Sequence, residues 1–188
     1  MQHRPLAVFE VPVLRVLFLD IDGVLNHYNT YDGCQPGRIP VAPECMARLN
    51  NLVERSGAKV VISSSWRKFA AWTELAPALA REGLVAEVIG ETPDLINDPV
   101  WLAEWKSRNG TFYYERLERG HEIRQWLADH PEVEEFVILD DGNDMGVLLP
   151  WLVLTDPLHG LQYRDIDVAL GLFPHSRTAP RRSPIVDP

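Results

Sequence analysis

The feature that most constrains the fold of this chain is an apolar run that ends in two carboxylates. The run Val16–Leu19 leads straight into Asp20, and Asp22 follows after one isoleucine, just before a glycine. A short, fully apolar run of this kind is typical of a central strand in a parallel sheet that is covered on both faces. The end of such a strand is where open α/β sheets place their ligands. The two carboxylates therefore mark a candidate site at one edge of a sheet.

The same pattern recurs along the chain and predicts an α/β fold with a doubly wound parallel sheet. Apolar runs at 58–62, 85–90, 135–139 and 152–155 alternate with helical patterns at 44–55, 67–83, 121–129 and 163–173. Such alternation implies right-handed crossovers between parallel strands. The polar ends of the strands would then line one edge of the sheet, and these ends are Asp20 with Asp22, Ser63 to Ser65, and Asp140 with Asp141.

Length and composition favour one domain. The 188 residues, 46% of them hydrophobic, are enough for a single well-buried core. We expect this domain to span residues 1–173, with the aperiodic stretch 91–118 as an inserted flap and the Pro/Arg-rich stretch 174–188 as a flexible tail. Pro77 is expected to kink or split the helix of 67–83.

Charge and cysteine content narrow the class of protein. The formal net charge of −9 argues against a general affinity for nucleic-acid backbones or anionic membranes, and it suits a bound divalent cation. Cys34 and Cys45 form neither a zinc-ligand pattern nor a disulfide framework. No apolar run approaches the roughly 18 residues that a membrane-spanning helix needs. We therefore expect a cytoplasmic protein that is neither secreted nor embedded in a membrane.

The spacing of Asp20 and Asp22 allows the two carboxylates to take different roles in one reaction. One carboxylate can bind Mg²⁺ or attack phosphorus, while the other transfers a proton. The glycine at position 23 permits the sharp turn between them. The plainer alternative is that the two acids only cap a turn.

Four motifs in order make the interpretation more specific: FLDIDGVLN, VVISSSWR, ERGHEIRQWL and FVILDDGND. Together they resemble the haloacid dehalogenase (HAD) superfamily of phosphotransferases, from residue 14 to about residue 154. The serine-rich motif and the last two motifs are similar to the small HAD domains of RNA-repair proteins and their stand-alone relatives. The resemblance implies a Rossmann-like HAD core with a minimal cap or none.

Carried over residue by residue, the resemblance implies that Asp20 is a nucleophile that forms an aspartyl-phosphate and that Asp22 is the acid/base. Mg²⁺ would bind Asp20, the backbone carbonyl of Asp22, Asp140, and Asp141 directly or through water. A cation is needed because a phosphoryl group in transfer carries negative charge that repels an approaching carboxylate. An acid at position 22 can protonate a leaving alkoxide and later activate water. The prediction is a Mg²⁺-dependent phosphomonoesterase.

A hydroxyl from the second motif would bind the phosphate. Counted back from Trp66 and Arg67, Ser64 matches the Ser/Thr position of the family best. Alternation along the strand would turn Ser63 and Ser65 away from the same point. These two flanking serines are suited to capping the helix that follows. Trp66, next to them, is expected either in the core or at the substrate entrance.

A cation from the third motif would also hold the phosphate. The resemblance favours Arg119, which stands just before the helix of 121–129, where the family usually has lysine or arginine. An arginine there would give planar, bidentate phosphate contacts. Arg116 and Lys106 remain alternatives. Two further side chains are expected to support the site: Asn26 by ordering the loop after the nucleophile, and Asp144 by holding backbone or water near the acidic pair.

The gaps between motifs bear on the substrate. The first gap, 23–59, leaves no room for a folded cap, and in the second gap only 91–118 is left over. An open site suits a phosphate on something large, and the resemblance favours a nucleic-acid end, with a nucleotide or a phosphoprotein as alternatives. Five aromatic residues of the insertion are candidate stacking platforms: Trp101, Trp105, Phe112, Tyr113 and Tyr114. The competing hypothesis is a catalytically idle HAD module that binds or regulates a partner, with its Arg-rich tail as the contact.

Overall fold

The computed structural model describes residues 13–31, 38–109 and 118–174. These residues form five strands and five α-helices, which alternate along the chain except that α3 is followed directly by α4 and β4 by β5. In chain order they are β1 (Leu14–Leu19), α1 (Pro43–Ser56), β2 (Lys59–Ile62), α2 (Trp72–Arg81), β3 (Val88–Glu91), α3 (Pro99–Asn109), α4 (Arg119–Asp129), β4 (Val133–Asp140), β5 (Leu152–Leu154) and α5 (Tyr163–Leu172). Short 3₁₀ helices lie at Tyr28–Tyr31, Ser65–Lys68, Leu95–Asn97 and Gly146–Trp151.

All five strands are parallel, and their order in the sheet is β3-β2-β1-β4-β5. The central strand β1 pairs with β2 and β4, so that Leu19 lies opposite both Ile62 and Leu139. The backbone N–H of Ser63 donates to the carbonyl of Leu19 at 2.8 Å, and that of Asp20 donates to the carbonyl of Leu139 at 3.0 Å. This register brings the polar ends of β1, β2 and β4 to one level at the same edge of the sheet.

The sheet is buried on both faces. Leu17 and Leu19 of β1 pack into a cluster with the apolar faces of α1, α2 and α5, while Val16 and Phe18 pack on the opposite side with α4. The Phe18 ring meets the Trp126 ring edge-on, with their centroids 5.4 Å apart. Alternate residues of an uninterrupted apolar strand therefore serve two separate helix layers. The predicted doubly wound, Rossmann-like HAD core is confirmed.

The segment after β2 differs from its sequence expectation. The helix expected over 67–83 is divided into the 3₁₀ helix Ser65–Lys68 and α2, which begins at Trp72. Pro77 lies inside α2 and does not split it. The missing N–H of a proline removes only one hydrogen bond, and the buried side chains of Leu75 and Leu79 hold the helix against the sheet.

The described residues contain no cap domain. Between β1 and β2 they hold one 3₁₀ helix and α1, and beyond β3 they hold the 3₁₀ helix Leu95–Asn97 and α3. Residues 110–117, with three of the insertion's aromatic side chains, lie outside the described ranges, as do residues 175–188 of the proposed tail. The boundaries of the flap and the tail stay predictions. None of the described helices has the length and apolar character needed to span a membrane, and the cytoplasmic location also stays a prediction.

Candidate active site

Asp20 lies directly beyond the carboxyl end of β1 and is only 5% exposed. Its Oδ1 accepts a 2.7 Å hydrogen bond from the backbone N–H of Ile21. Its Oδ2 lies 3.3 Å from Nη1 of Arg119. Burial raises the pKa of Asp20 above its ordinary value, although Arg119 and a hydrogen bond with Ser64 favour the ionised form. The carboxyl group is therefore buried, oriented and next to a cation.

Three carboxylates converge at this edge of the sheet. Asp20, Asp140 and Asp141 each offer an oxygen, and these oxygens lie within 4.8 Å of one another. Oδ1 of Asp140 accepts a 2.8 Å hydrogen bond from the N–H of Gly142, whereas its buried Oδ2 accepts none from the described residues. Clustered carboxylate oxygens are the ligands that Mg²⁺ prefers. The three side chains, with one buried oxygen that accepts no hydrogen bond from the described residues, thus fit a divalent cation.

The charges in this cluster also favour a bound divalent cation. Burial and the neighbouring Asp20 raise the pKa of Asp140 to about 7. Burial also raises the pKa of Asp141, and Asp22 adds to that shift. Nε of Arg119 lies 3.3 Å from Oδ2 of Asp140, and this single guanidinium faces several acidic groups. A divalent cation would relieve the repulsion that the arginine leaves uncompensated.

Gly23 makes the close approach of the first loop to Asp141 possible. Its φ of 68° lies in the left-handed region, which favours glycine. A Cβ at this position would overlap the Asp141 carboxylate. The hydroxyl of Thr155, after β5, donates to the carbonyl of Gly23 at 2.8 Å, and its N–H donates to the carbonyl of Asp140 at 2.9 Å. The loops after β1 and β4 are therefore tied together at the carboxylate cluster.

Asp22 is held by two donors. The side-chain amide of Asn26 donates to Oδ1 at 2.8 Å, and the indole N–H of Trp66 donates to Oδ2 at 3.0 Å. Asn26 is 1% exposed, and its own oxygen accepts the N–H of Gly23 at 2.9 Å. The loop-ordering contact expected of Asn26 is present in the structure, while the role of Asp22 in proton transfer stays a prediction.

Arg119 opens α4 and points its guanidinium into the carboxylate cluster. It contacts Asp20 and Asp140 and also donates to the carbonyl of Ser63. Burial lowers the pKa of Arg119, but the charges of Asp20, Asp140, Asp144 and Glu122 together outweigh burial and raise that pKa overall. The backbone N–H of Arg119 donates to Oδ2 of Asp144 at 3.1 Å. Asp144 therefore holds the first turn of α4, which is the helix that carries the arginine.

The three serines after β2 have different surroundings. The hydroxyl of Ser64 donates a hydrogen bond to the carboxylate of Asp20. Its Oγ also accepts the backbone N–H of Trp66 at 3.4 Å, and this contact caps the 3₁₀ helix Ser65–Lys68. Ser65 is exposed, and the buried Oγ of Ser63 has no hydrogen-bond partner among the described residues. The expected capping role belongs to Ser64, because only its side chain lies at the start of the turn. Of the two alternative cations, Lys106 lies on α3 and Arg116 lies outside the described ranges.

Sequence reasoning missed a set of polar contacts made by the 3₁₀ helix after β2. The indole N–H of Trp66 donates a hydrogen bond to Asp22, and the guanidinium of Arg67 forms an ion pair with Glu122 of α4. The motif SSSWR carried a usable signal for the first contact, because a half-buried indole N–H needs an acceptor. The motif carried no signal for the ion pair between Arg67 and Glu122, since these residues are 55 positions apart in the chain.

The strand order and the acidic residues at the strand ends define a doubly wound α/β domain with a candidate cation site at the carboxyl edge of its sheet. A family model for the HAD domain in Swiss Army Knife RNA repair proteins matches residues 16–166, and the chain belongs to that family. The resemblance drawn from the four motifs is thereby confirmed. No curated protein and no solved structure gave a significant match to the chain.

Proposed function

We propose that this protein is a Mg²⁺-dependent phosphomonoesterase that works through an aspartyl-phosphate on Asp20. The observation that carries the proposal is the environment of that side chain. Asp20 is buried and hydrogen-bonded to Ser64, it is paired with Arg119, and it shares its cluster with Asp140 and Asp141. A nucleophile, two phosphate-binding groups and the ligands for a screening cation thus lie within reach of one another.

In the first half of the proposed reaction, a carboxylate oxygen of Asp20 attacks the phosphorus atom. The bond between phosphorus and the ester oxygen breaks, and Asp22 gives a proton to the leaving alkoxide. The side chains of Ser64 and Arg119 bind the phosphoryl oxygens as negative charge builds up on them.

In the second half, Asp22 takes a proton from a water molecule that attacks the phosphorus atom. The bond to Asp20 breaks, so inorganic phosphate leaves and the carboxylate is restored. Asp20, the carbonyl of Asp22, Asp140 and Asp141 would hold Mg²⁺, and its charge would offset the repulsion between the nucleophile and the phosphate. Asn26 and Asp144 support this arrangement through the loop after β1 and the first turn of α4.

For the substrate, we favour a phosphate at the end of a nucleic acid. The matching family is described by its occurrence in RNA repair proteins. The described residues form no cap domain over the sheet edge, which leaves room for a large phosphate-bearing molecule. On α3, the rings of Trp101 and Trp105 stack on each other with centroids 6.2 Å apart, and such rings can also stack on bases. A nucleotide is the alternative substrate.

The test of catalysis is phosphate release by the Mg²⁺-loaded protein from a broad panel of phosphoesters. Asp20→Asn keeps the size of the side chain but removes the attacking charge, so turnover should fall to background while the melting temperature is retained. Asp22→Asn should lower turnover by about 10²–10⁴-fold through the loss of acid/base catalysis. Wild-type activity in Asp20→Asn would refute the mechanism. A well-folded, Mg²⁺-loaded wild type without turnover on any ester would instead establish an idle HAD module.

A further inference from the structure

A buried ion pair lies beside the site and has no part in the chemistry proposed above. Nη2 of Arg67, in the 3₁₀ helix after β2, pairs with Oε2 of Glu122 on α4. The two side chains are 4% and 7% exposed. Removing two charges from water is costly, and apolar side chains in their place often give an equally stable fold. Stability alone therefore explains this pair poorly.

Arg67 links the end of β2 to α4. Its Nη1 donates a 2.8 Å hydrogen bond to the backbone carbonyl of Ser64, while its Nη2 holds Glu122. A guanidinium is planar and its donors are fixed in a fork, so the two contacts set the distance between the groups that accept them. One of these groups belongs to the serine that is proposed to bind the phosphate.

Glu122 lies one turn beyond Arg119 on the same helix. Side chains at i and i+3 are neighbours on a helix surface. The charge of Glu122 contributes to the raised pKa of Arg119. Glu122 pairs with Arg67, whereas Arg119 contacts Asp20 and Asp140.

From these contacts we infer that Arg67 and Glu122 are positioning residues, whose ion pair holds Arg119 and Ser64 at the separation that a phosphate group requires. The inference rests on the proposed function. Neither residue needs to touch the phosphate. Their effect is geometric, and a displacement of about 1 Å in a binding group can cost about 10²-fold in rate.

The experiment replaces the pair with apolar side chains in the double variant Arg67→Met/Glu122→Leu. The chain offers a matched control in Arg15 and Glu135, whose Nε and Oε2 lie 2.6 Å apart, while Nη1 of Arg15 donates to the carbonyl of Ser56 at 2.9 Å. This second pair lies at the other end of β1, five residues or about 16 Å from Asp20. The control is Arg15→Met/Glu135→Leu.

The readouts are the melting temperature, kcat and KM for p-nitrophenyl phosphate, and the dissociation constant for inorganic phosphate from calorimetry. We expect the Arg67/Glu122 double variant to fold and to weaken phosphate binding and raise KM by about 10- to 100-fold. The control variant should keep wild-type phosphate affinity and KM even if its melting temperature falls. Wild-type phosphate affinity in a folded Arg67/Glu122 double variant would overturn the inference.

Glu122→Gln provides a second test, should the double variant not fold. It keeps the shape of the side chain but frees the charge of Arg67. Weaker phosphate binding supports the positioning role, whereas unchanged or tighter binding overturns it, and tighter binding would identify Arg67 as a direct phosphate ligand. If the wild type binds phosphate but turns over no ester, the proposed function fails while the binding comparison still tests the pair. A wild type that binds no phosphate overturns both.

Discussion

The indole N–H of Trp66 donates a 3.0 Å hydrogen bond to Oδ2 of Asp22, across 44 residues of chain. The opposite oxygen, Oδ1, accepts from Asn26 at 2.8 Å. Both donors are neutral, so they fix the orientation of the carboxyl group without adding a charge to it. The proposed acid/base is thus held in place from the end of β2 as well as from its own loop.

Replacing Trp66 by phenylalanine should lower kcat by about tenfold, because a hydrogen bond to a charged group contributes about 1.5–3 kcal/mol. KM should change less, since the indole contacts the proton-transfer group, and the backbone N–H of Trp66 that donates to Ser64 is kept in the variant. Trp72→Phe is the matched control, because Trp72 packs against the apolar core. Equal losses in the two variants would show that the effect comes from packing.

Gly23→Ala should destabilise the protein and abolish its response to Mg²⁺. The substitution adds backbone strain at a φ of 68° and pushes a methyl group into Asp141. Gly57→Ala separates the two effects, because Gly57 has a φ of 67° and a methyl group there would meet no atom of the described residues within 4 Å. Strain alone should cost about 1–3 kcal/mol in either variant. Thermal melts with and without Mg²⁺ should show the loss of the metal response in Gly23→Ala only.

Mg²⁺ should stabilise the fold as well as support turnover. A cation that binds only the folded state, present at about 100 times its dissociation constant, adds about 2.7 kcal/mol to the free energy of unfolding. Calorimetric melts should therefore shift upward with Mg²⁺ and return with EDTA, and Asp140→Asn should remove most of the shift. Full activity in chelator would contradict the proposed metal site.

The metal response should also depend on pH. Without a cation, the pKa of Asp140 is raised from 3.8 to about 7, so this group favours the folded state at low pH. That contribution is lost as the pH rises through about 7. Mg²⁺ competes with the proton for the carboxylate, and its stabilising effect should grow between about pH 5.5 and about pH 8. Melts across this range with Mg²⁺ or EDTA test the prediction, and Asp140→Asn should flatten the dependence in EDTA.

The lack of a cap domain among the described residues favours large substrates. Values of kcat/KM for 3′- and 5′-phosphorylated oligonucleotides should exceed those for mononucleotides and sugar phosphates. Replacing Trp101 and Trp105 by alanine should reduce this preference, because each base stacked on an aromatic ring contributes about 1–3 kcal/mol. A clear preference for the small esters would exclude a nucleic-acid end as the substrate and leave the phosphatase proposal intact.

Local sequence patterns predicted the sheet because its strands are buried on both faces. The apolar run before Asp20 and its counterpart before Asp140 each form a strand with almost no exposed side chain. The convergence of their acidic ends followed from the parallel arrangement alone. The helix α3 could not be predicted in the same way, because most of its described residues are partly or fully exposed and its apolar side chains have no helical period.

Contacts between distant side chains escaped prediction for a different reason. The pairing of Arg67 with Glu122 and the bond from Trp66 to Asp22 depend on how the 3₁₀ helix Ser65–Lys68 is placed between two strand ends. The sequence favoured a helix over 67–83 with a kink or split at Pro77, and not a break before residue 72. In the structure, Trp66 and Arg67 belong to a separate 3₁₀ helix that ends at Lys68, and α2 begins only at Trp72.

The raised pKa of Asp140 has a consequence for how this chain evolves. An ionised carboxylate that is buried beside another acid makes the folded state less stable at neutral pH. An amide at position 140 should therefore raise the free energy of unfolding of the metal-free protein. Most lineages that give up a reaction are free to accept such substitutions, since stabilising changes are common and are held back by activity. Repeated loss of the acid at this position would therefore distinguish relatives that have abandoned catalysis from those still selected for it.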